Sequence, residues 1–305
     1  MTTAPRPAEV GPWAKEKLEA LERYLHYYTT VLKNQRWRTL YVDAFAGGGT
    51  AKVRKKIIPE NNQANLLPEL VDEGQEEFIR GSPRIALSLK NPFDTYVFID
   101  ASGARIAELE ELRAEYGTSR NIYIRPGLAD SELQWVLQRK ISVATHRGVA
   151  FLDPFGAHLG WESIAALAET KLFEVLINFP LHMALARLMK NNADIPPTWR
   201  AQLDHFFGRA DWVEDVYEVR TDLLGSATGK REDYLDRLRN RYRTQLKDAF
   251  GFVSQPKLIA NTRGSPLYYL LWAGPHKKGL QGADYILRMG DGSARAKETS
   301  PDKRV

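Results

Sequence analysis

The chain of 305 residues contains no cysteine. That absence excludes a disulfide framework, a thiolate zinc centre, an iron–sulfur cluster and a cysteine nucleophile. Long apolar runs are also missing: none approaches the roughly 18 residues that a membrane span requires, so no membrane association is expected. The six histidines (His26, His146, His158, His182, His205, His276) show no H-x-x-x-H or H-x-E spacing, which excludes zinc-protease and deaminase signatures and predicts no metal site. Gly156-Ala-His-Leu-Gly160 has histidine where a G-x-S-x-G nucleophile would stand. Repeats of 20–50 residues are absent.

Charge of one sign is in mild excess. Lys plus Arg number 43 against 38 Asp plus Glu, a net charge of +5, which favours a polyanionic partner only weakly. With 43% apolar and 27% charged residues, the composition is that of a globular protein with a sizeable core. Residues 1–12 hold three prolines and no apolar stretch. They are expected to be a flexible lead rather than a signal peptide, and the protein is expected to be cytoplasmic.

Apolar periodicity alternates between helix and strand. Leu18, Leu21, Leu25, Tyr28 and Leu32 mark a helix over 13–33, and strands are predicted at 39–44, 96–100, 122–125, 148–153 and 173–179. Helices are predicted between them at 84–90 (Ser82 as N-cap, Pro83 at the first helical position), over a stretch carrying Ile106 to Tyr116, at 131–143 and at 161–170. Residues 50–80 are mostly polar and are expected to form a long, partly mobile insertion. Residues 181–224 are expected to be a helical insertion, followed by a long helix at 234–250, a hairpin from 257–262 and 266–273, a helix at 278–287 and a polar tail at 289–305. Five parallel strands plus a closing hairpin make about seven strands, the last antiparallel. That count and order match the doubly wound, Rossmann-like class I methyltransferase sheet, and the helical stretch after strand five would then be an insertion. Its domain would comprise residues 13–180 and 225–288.

Three strand ends carry the chemistry. Asp43-Ala-Phe45-Ala46-Gly47-Gly48-Gly49 ends the first strand, and its glycines allow positive φ and close approach of a ligand to the backbone. The dinucleotide fingerprint fails here, because Gly49 is followed by Thr50-Ala51-Lys52. The run Gly225-Ser-Ala-Thr-Gly229-Lys230-Arg231 has the wrong spacing for a P-loop. D-x-F-x-G-x-G resembles motif I of S-adenosylmethionine (SAM) methyltransferases. Backbone N–H groups would hold the cofactor's carboxylate, while Asp43 would hold its ammonium directly or through water. Asp100, followed by Ala101, closes the second strand and either accepts ribose hydroxyls or caps a helix. Asp130 would cap the next helix, or contact the adenine. Asp153-Pro154-Phe155-Gly156 resembles motif IV of amino-directed methyltransferases, nearest to the D-P-F-G of the tRNA guanine-N2 enzymes. There, a carboxylate and a carbonyl accept N–H bonds from a conjugated amine, and an aromatic stacks on the base. The alternative is an ordinary strand-to-loop turn. Basic residues Lys52, Arg54, Lys55 and Lys56, with Lys277 and Lys278 beside His276, are candidates for phosphate contact. A late series (Arg231, Arg237, Arg239, Arg241, Arg243) is interspersed with aspartates and reads first as a solvated face.

In order and spacing these motifs are similar to the three-Cys-motif partner protein family (TcmP), over about residues 13–288. Gly81-Ser82-Pro83 and Pro266-Leu-Tyr-Tyr-Leu-Leu belong to the same likeness. The resemblance implies a Rossmann-like SAM-dependent methyltransferase fold and a separate, radical-SAM-like partner bearing three cysteines. Gly127-Leu128 departs from the Gly-Asp that relatives tend to carry. The expected activity is methyl transfer to an exocyclic amine of a nucleic acid base. The rival reading is a non-catalytic nucleic-acid- or partner-binding module; a nuclease is a weaker third. Phe45-Ala-Gly47-x-Gly49 also resembles motif I of the pyrimidine C5 methyltransferases, whose attack through a cysteine is excluded here.

Overall fold

The computed structural model describes residues 8–11, 13–53, 77–139, 141–222 and 225–289. The element order is β1 (Ala8–Val10), α1 (Trp13–Leu32), β2 (Arg38–Asp43), β3 (Thr50–Val53), β4 (Glu77–Arg80), α2 (Ser82–Leu87), β5 (Thr95–Asp100) and α3 (Gly103–Tyr116). Next come β6 (Ile122–Pro126), α4 (Ala129–Leu137), β7 (His146–Leu152), α5 (Trp161–Glu169) and β8 (Phe173–Phe179). After a π-turn, Leu181–Leu185, follow α6 (Ala186–Leu188), α7 (Pro197–Phe207), α8 (Val213–Val216), β9 (Tyr217–Asp222) and β10 (Gly225–Lys230). The chain closes with α9 (Tyr234–Phe250), β11 (Phe252–Val253), β12 (Lys257–Ala260), β13 (Pro266–Gly274) and α10 (Lys277–Arg288).

The main sheet has the order β11-β13-β8-β7-β2-β5-β6, with β12 also paired to β13. β6, β5, β2, β7 and β8 are mutually parallel; β13 runs antiparallel to β8 and to its other neighbours. Five parallel strands plus an antiparallel β13 between β8 and the β11/β12 edge form the doubly wound, Rossmann-like class I methyltransferase fold. The central strands β2, β5, β7 and β8 are buried on both faces, so they are largely apolar rather than alternating. All seven residues of β8 are buried. One core layer, with Leu40, Val42 and Ala150, packs on α4, α5, α7 and α9. The other, with Tyr41, Tyr96 and Trp272, packs on α1, α2, α3 and α10. In the first layer the rings of Phe179 and Tyr242 stack at 4.4 Å between centroids and 5° between planes.

Four expectations change. Ala8–Val10 is not a free lead: it pairs in parallel with β3, in register Ala8↔Ala51. The 50–80 insertion begins and ends in strands, β3 and β4, which pair antiparallel; residues 54–76 lie outside the described residues. The 181–224 stretch is helical only in part, because β9 and β10 form a hairpin across its end. The edge strand is split, since Ser254 interrupts it between β11 and β12 and its hydroxyl accepts from the Trp272 N–H at 3.0 Å. Among the described residues, no helix is long and apolar enough to cross a membrane.

Candidate functional site

The sheet's order reverses between β2 and β7: β5 and β6 lie on one side, β8 and β13 on the other. Open α/β sheets bind ligands at the carboxyl ends of strands beside such a switch point. Asp100, Asp43 and Asp153 stand at or just past the carboxyl ends of the three adjacent strands β5, β2 and β7. The structure therefore gathers the three strand-end aspartates singled out in the sequence.

The glycine turn follows β2 directly. Gly47 has φ +64° and Gly49 φ +80°, which glycine adopts without the penalty of a Cβ. Rather than opening onto a helix, the turn runs into β3. The insertion closes on itself where Gly81 N–H donates to the Gly49 carbonyl at 2.8 Å, and α2 starts immediately afterwards. Asp100 braces the turn: its Oδ2 accepts from Gly47 N at 2.9 Å and its Oδ1 from Ser102 N at 2.8 Å. Hence a carboxylate already holds the Gly47 amide. Two side chains of α3 lie over the same turn. A Cβ on Gly47 would come within 3.2 Å of Arg105 Nη1, and one on Gly48 would collide with the Glu108 carboxylate. Burial raises the Glu108 carboxyl, which the neighbouring Arg105 opposes. Ala46 is buried, Phe45 half-buried and Ala101 exposed.

Asp43 has no exposed surface. Its carboxylate accepts from Tyr41 OH at 3.2 Å, from Phe45 N at 3.4 Å and from the Ser82 hydroxyl. Burial pushes this carboxyl up to about 7; Ser82 opposes the shift, and the negative charge of Asp153 adds to it. A sealed carboxylate has no direct path to a ligand ammonium, so its contribution would pass through water or the turn backbone. Ser82, expected as a helix N-cap, instead lies inside α2, with Gly81 at the cap. Its hydroxyl is used on Asp43.

Asp153 follows β7 and is 8% exposed. Lys17 of α1 forms an ion pair with Oδ2, and Asn178 Nδ2 donates to Oδ1 at 2.8 Å. The Lys17 ammonium also lies 5.4 Å from the centre of the Tyr268 ring. Asn178 pairs with Asp153 because β7 and β8 run in register, Leu152 beside Ile177. Pro154 and Gly156 are buried, whereas Phe155 is 66% exposed, its ring presented to solvent. The Tyr268 hydroxyl is buried with no hydrogen-bond partner among the described residues.

Other expected residues are elsewhere. Asp130 lies in α4 but caps α5: it accepts from Gly160 N at 3.1 Å and from the Ser163 hydroxyl, with His205 Nε2 at 2.9 Å. It is thus a tie between α4, α5 and α7 rather than a cap of its own helix. Lys52 lies in β3, and Arg54, Lys55 and Lys56 fall outside the described residues. Lys277 and Lys278 open α10 beside a separate cavity at the other end of the sheet. The late arginines are largely engaged: Arg231 with Glu218, Arg237 with Asp215, Arg239 with Asp236, Arg241 with Asp211 and Asp215. That series is an ordinary ion-paired face.

No known family profile matches the chain. One curated relative, the protein BRASSINOSTEROID INSENSITIVE 1 of Arabidopsis thaliana, is 24% identical over 231 residues, or 70% of this chain. The chain spans 19% of that relative's length. Among solved structures, protein LPL1258 from Legionella pneumophila superposes with a TM-score of 0.43 at 12% identity, covering 89% of this chain and 91% of that one. The N-terminal domain of EvdMO1 with SAH bound gives 0.35 at 10% identity over 84% and 81%. A methyltransferase from Geobacter sulfurreducens gives 0.30 at 13% over 69% and 77%. All three scores lie below 0.5, so the fold assignment rests on the strand order of this chain itself.

Proposed function

We propose that the protein is a SAM-dependent methyltransferase that transfers a methyl group to an exocyclic amine of a nucleic acid base. The observation that carries this reading is the convergence of Asp100, Asp43 and Asp153 on one edge of the sheet at its switch point, around a positive-φ glycine turn. The residues fit the cofactor. Asp100 is oriented by two backbone amides and retains lone pairs for ribose hydroxyls. With the Gly47 amide already engaged, the nearby Arg105 guanidinium is the group suited to an amino-acid carboxylate. Asp43 and Ser82 brace the turn from beneath. When bound, the cofactor supplies an electrophilic methyl on a sulfonium.

On the acceptor side, Asp153 is fixed by Lys17 and Asn178, each on a different oxygen. Each oxygen keeps a lone pair that can accept from the acceptor amine, and the Pro154 carbonyl can take its second N–H. As the new N–C bond forms, the bond from the sulfonium sulfur to that methyl would break to leave a neutral thioether, and the nitrogen's surplus proton would pass to the Asp153 carboxylate. Phe155 offers a face for base stacking. By its resemblance to TcmP proteins, the chain would act beside a separate three-cysteine protein.

A calorimetric titration with SAM and S-adenosylhomocysteine tests the cofactor. Asp100→Ala should weaken binding by about 1.5–3 kcal/mol, the range for a charge-assisted contact. Absence of binding to the wild type would reject the assignment. One observation favours a second reading, a nucleic-acid-binding module without catalysis: both Asp153 oxygens are already engaged and the residue is almost wholly covered. That module would bind nucleic acid in a salt-sensitive way, indifferent to SAM. Methyl transfer from labelled SAM that is lost in Asp153→Asn decides for the enzyme.

A further inference from the structure

At the amino ends of the parallel strands, opposite the candidate site, lies a cavity of about 480 Å³. Its size falls in the range of small-ligand sites. Glu174, the second residue of β8, forms its floor and is 8% exposed. Glu174 and Asn178 are four positions apart, about 13 Å along a strand, so this cavity is distinct from the switch-point site.

The floor is built to be held. Tyr24 OH donates to Glu174 Oε2, and Trp272 Nε1 donates to Tyr24 OH at 2.6 Å. The other oxygen, Oε1, approaches Gly279 so closely that a Cβ there would lie 2.6 Å from it. Burial pushes the carboxyl up to about 7, and hydrogen bonds from Tyr24 and Trp272 oppose it. The walls are aromatic: Tyr27 and Tyr28 of α1 and Trp37 before β2. Two polar atoms in these walls are buried and have no hydrogen-bond partner among the described residues, the Tyr28 hydroxyl and Trp37 Nε1. Tyr28 itself is 5% exposed.

The mouth has the opposite charge. His276, Lys277 and Lys278 are exposed there, at the amino end of the twelve-residue helix α10, whose free N–H groups favour an anion. Arg147, the second residue of β7, also lines the cavity; its guanidinium lies 4.1 Å from the Trp37 ring centre, and its Nη1 donates to the Val143 and His146 carbonyls, leaving its remaining N–H groups for a ligand. Among the described residues Arg147 and Glu174 form no ion pair, although both line the same cavity.

A buried carboxyl floor that accepts when ionised and keeps lone pairs beyond the Tyr24 bond, aromatic walls and a cationic mouth match a ligand with N–H donors on one edge of a ring and a negative group at its far end. We infer that this cavity binds a guanine nucleotide, its N1–H and amino group on Glu174, its ring between the aromatic walls and its phosphate at Arg147, Lys277 and Lys278. A guanine edge places two parallel N–H donors on one carboxylate, a bidentate pairing that adenine cannot make. Apart from Lys277 and Lys278, none of these residues was singled out for nucleic-acid contact in the sequence.

The test uses the full chain with GMP, AMP, guanosine and L-tyrosine, followed by quenching of tryptophan fluorescence and by calorimetry. GMP should bind at least tenfold more tightly than AMP. Glu174→Gln should weaken GMP at least tenfold. Lys277→Ala/Lys278→Ala, both on the exposed mouth, should weaken GMP and flatten its salt dependence while leaving guanosine unchanged, which keeps the test valid if Glu174→Gln fails to fold. A 5′-phosphorylated tetranucleotide beginning with guanosine presents the same chemistry. If it displaces GMP the source is an RNA end; if GMP alone binds, the source is free nucleotide. No binding of GMP at 1 mM, equal affinity for AMP, tighter binding of L-tyrosine, or an unchanged affinity in both variants overturns the inference.

Discussion

Replacing Asp43 by asparagine should make stability less dependent on pH, in a direction that burial dictates. The wild-type carboxyl is fully buried with a folded value of about 7, against about 3.9 in the unfolded chain. A value raised on folding means that the folded state holds the proton more tightly. The associated stability is complete below pH 4 and is lost as pH rises through 7. Linkage over that interval amounts to about 1.5 kcal/mol lost by pH 5 and about 4 kcal/mol by pH 8. An asparagine at this position carries no such dependence. It does lose an acceptor, because one carboxylate oxygen becomes an NH₂ facing the donors Tyr41, Phe45 N–H and Ser82, at about 1–3 kcal/mol. The variant should therefore lie between about 1.5 kcal/mol less stable and about 0.5 kcal/mol more stable than wild type at pH 5, and be about 1–3 kcal/mol more stable at pH 8, with the difference moving by about 2.5 kcal/mol. Urea denaturation at pH 5, 6, 7 and 8 measures this directly, and other titrating groups cancel between the two proteins. A difference constant to within about 0.5 kcal/mol across that range would show that Asp43 is ionised throughout, and the argument from burial would be wrong.

Lys17→Met should destabilise the fold by about 3–5 kcal/mol in the same assay, because it leaves the Asp153 carboxylate buried with no counter-charge. Tyr242→Phe should be neutral or stabilising by about 1 kcal/mol, since the hydroxyl removed is buried without a partner among the described residues; thermal melting checks it. Gly49→Ala should cost about 1–3 kcal/mol, because the backbone is at φ +80° and the new Cβ would lie 2.9 Å from Leu112. Gly103→Ala, with nothing within 4 Å, is the control and should change stability little.

The sheet was legible because its central strands are largely apolar and each ends in an aspartate or a turn. The glycine run likewise marked the ligand turn through local backbone needs alone. Residues that act by tertiary approach were not legible. Lys17 occupies a helix position whose spacing says only that it is polar, yet β7 brings Asp153 to it. Ser82 before Pro83 has the pattern of a helix cap, and only the closure of the insertion turns its hydroxyl onto Asp43. A usable signal did exist for Asn178 and Glu174: each is a polar residue inside the otherwise apolar seven-residue run of β8, where burial demands partners. The β9–β10 hairpin escaped notice because the exposed Ser226, Ala227 and Thr228 of β10 lack the alternation of apolar and polar residues that reveals a half-buried strand.

The contact between Gly49 and Gly81 gives this fold a splice junction. The two glycine backbones are so close that a Cβ on Gly81 would lie 3.0 Å from the carbonyl carbon of Gly49. The chain thus leaves the domain and re-enters it at nearly one point, as a host domain does around an inserted guest. Sequence placed between the two junctions adds to the closure entropy only logarithmically with its length. Between β3 and β4, which must keep their pairing with each other and with β1, its length can therefore vary, or a reporter be placed, while β2 and α2 on either side keep their register. Because that junction adjoins the glycine turn, whatever is spliced there is delivered to the rim of the candidate ligand site.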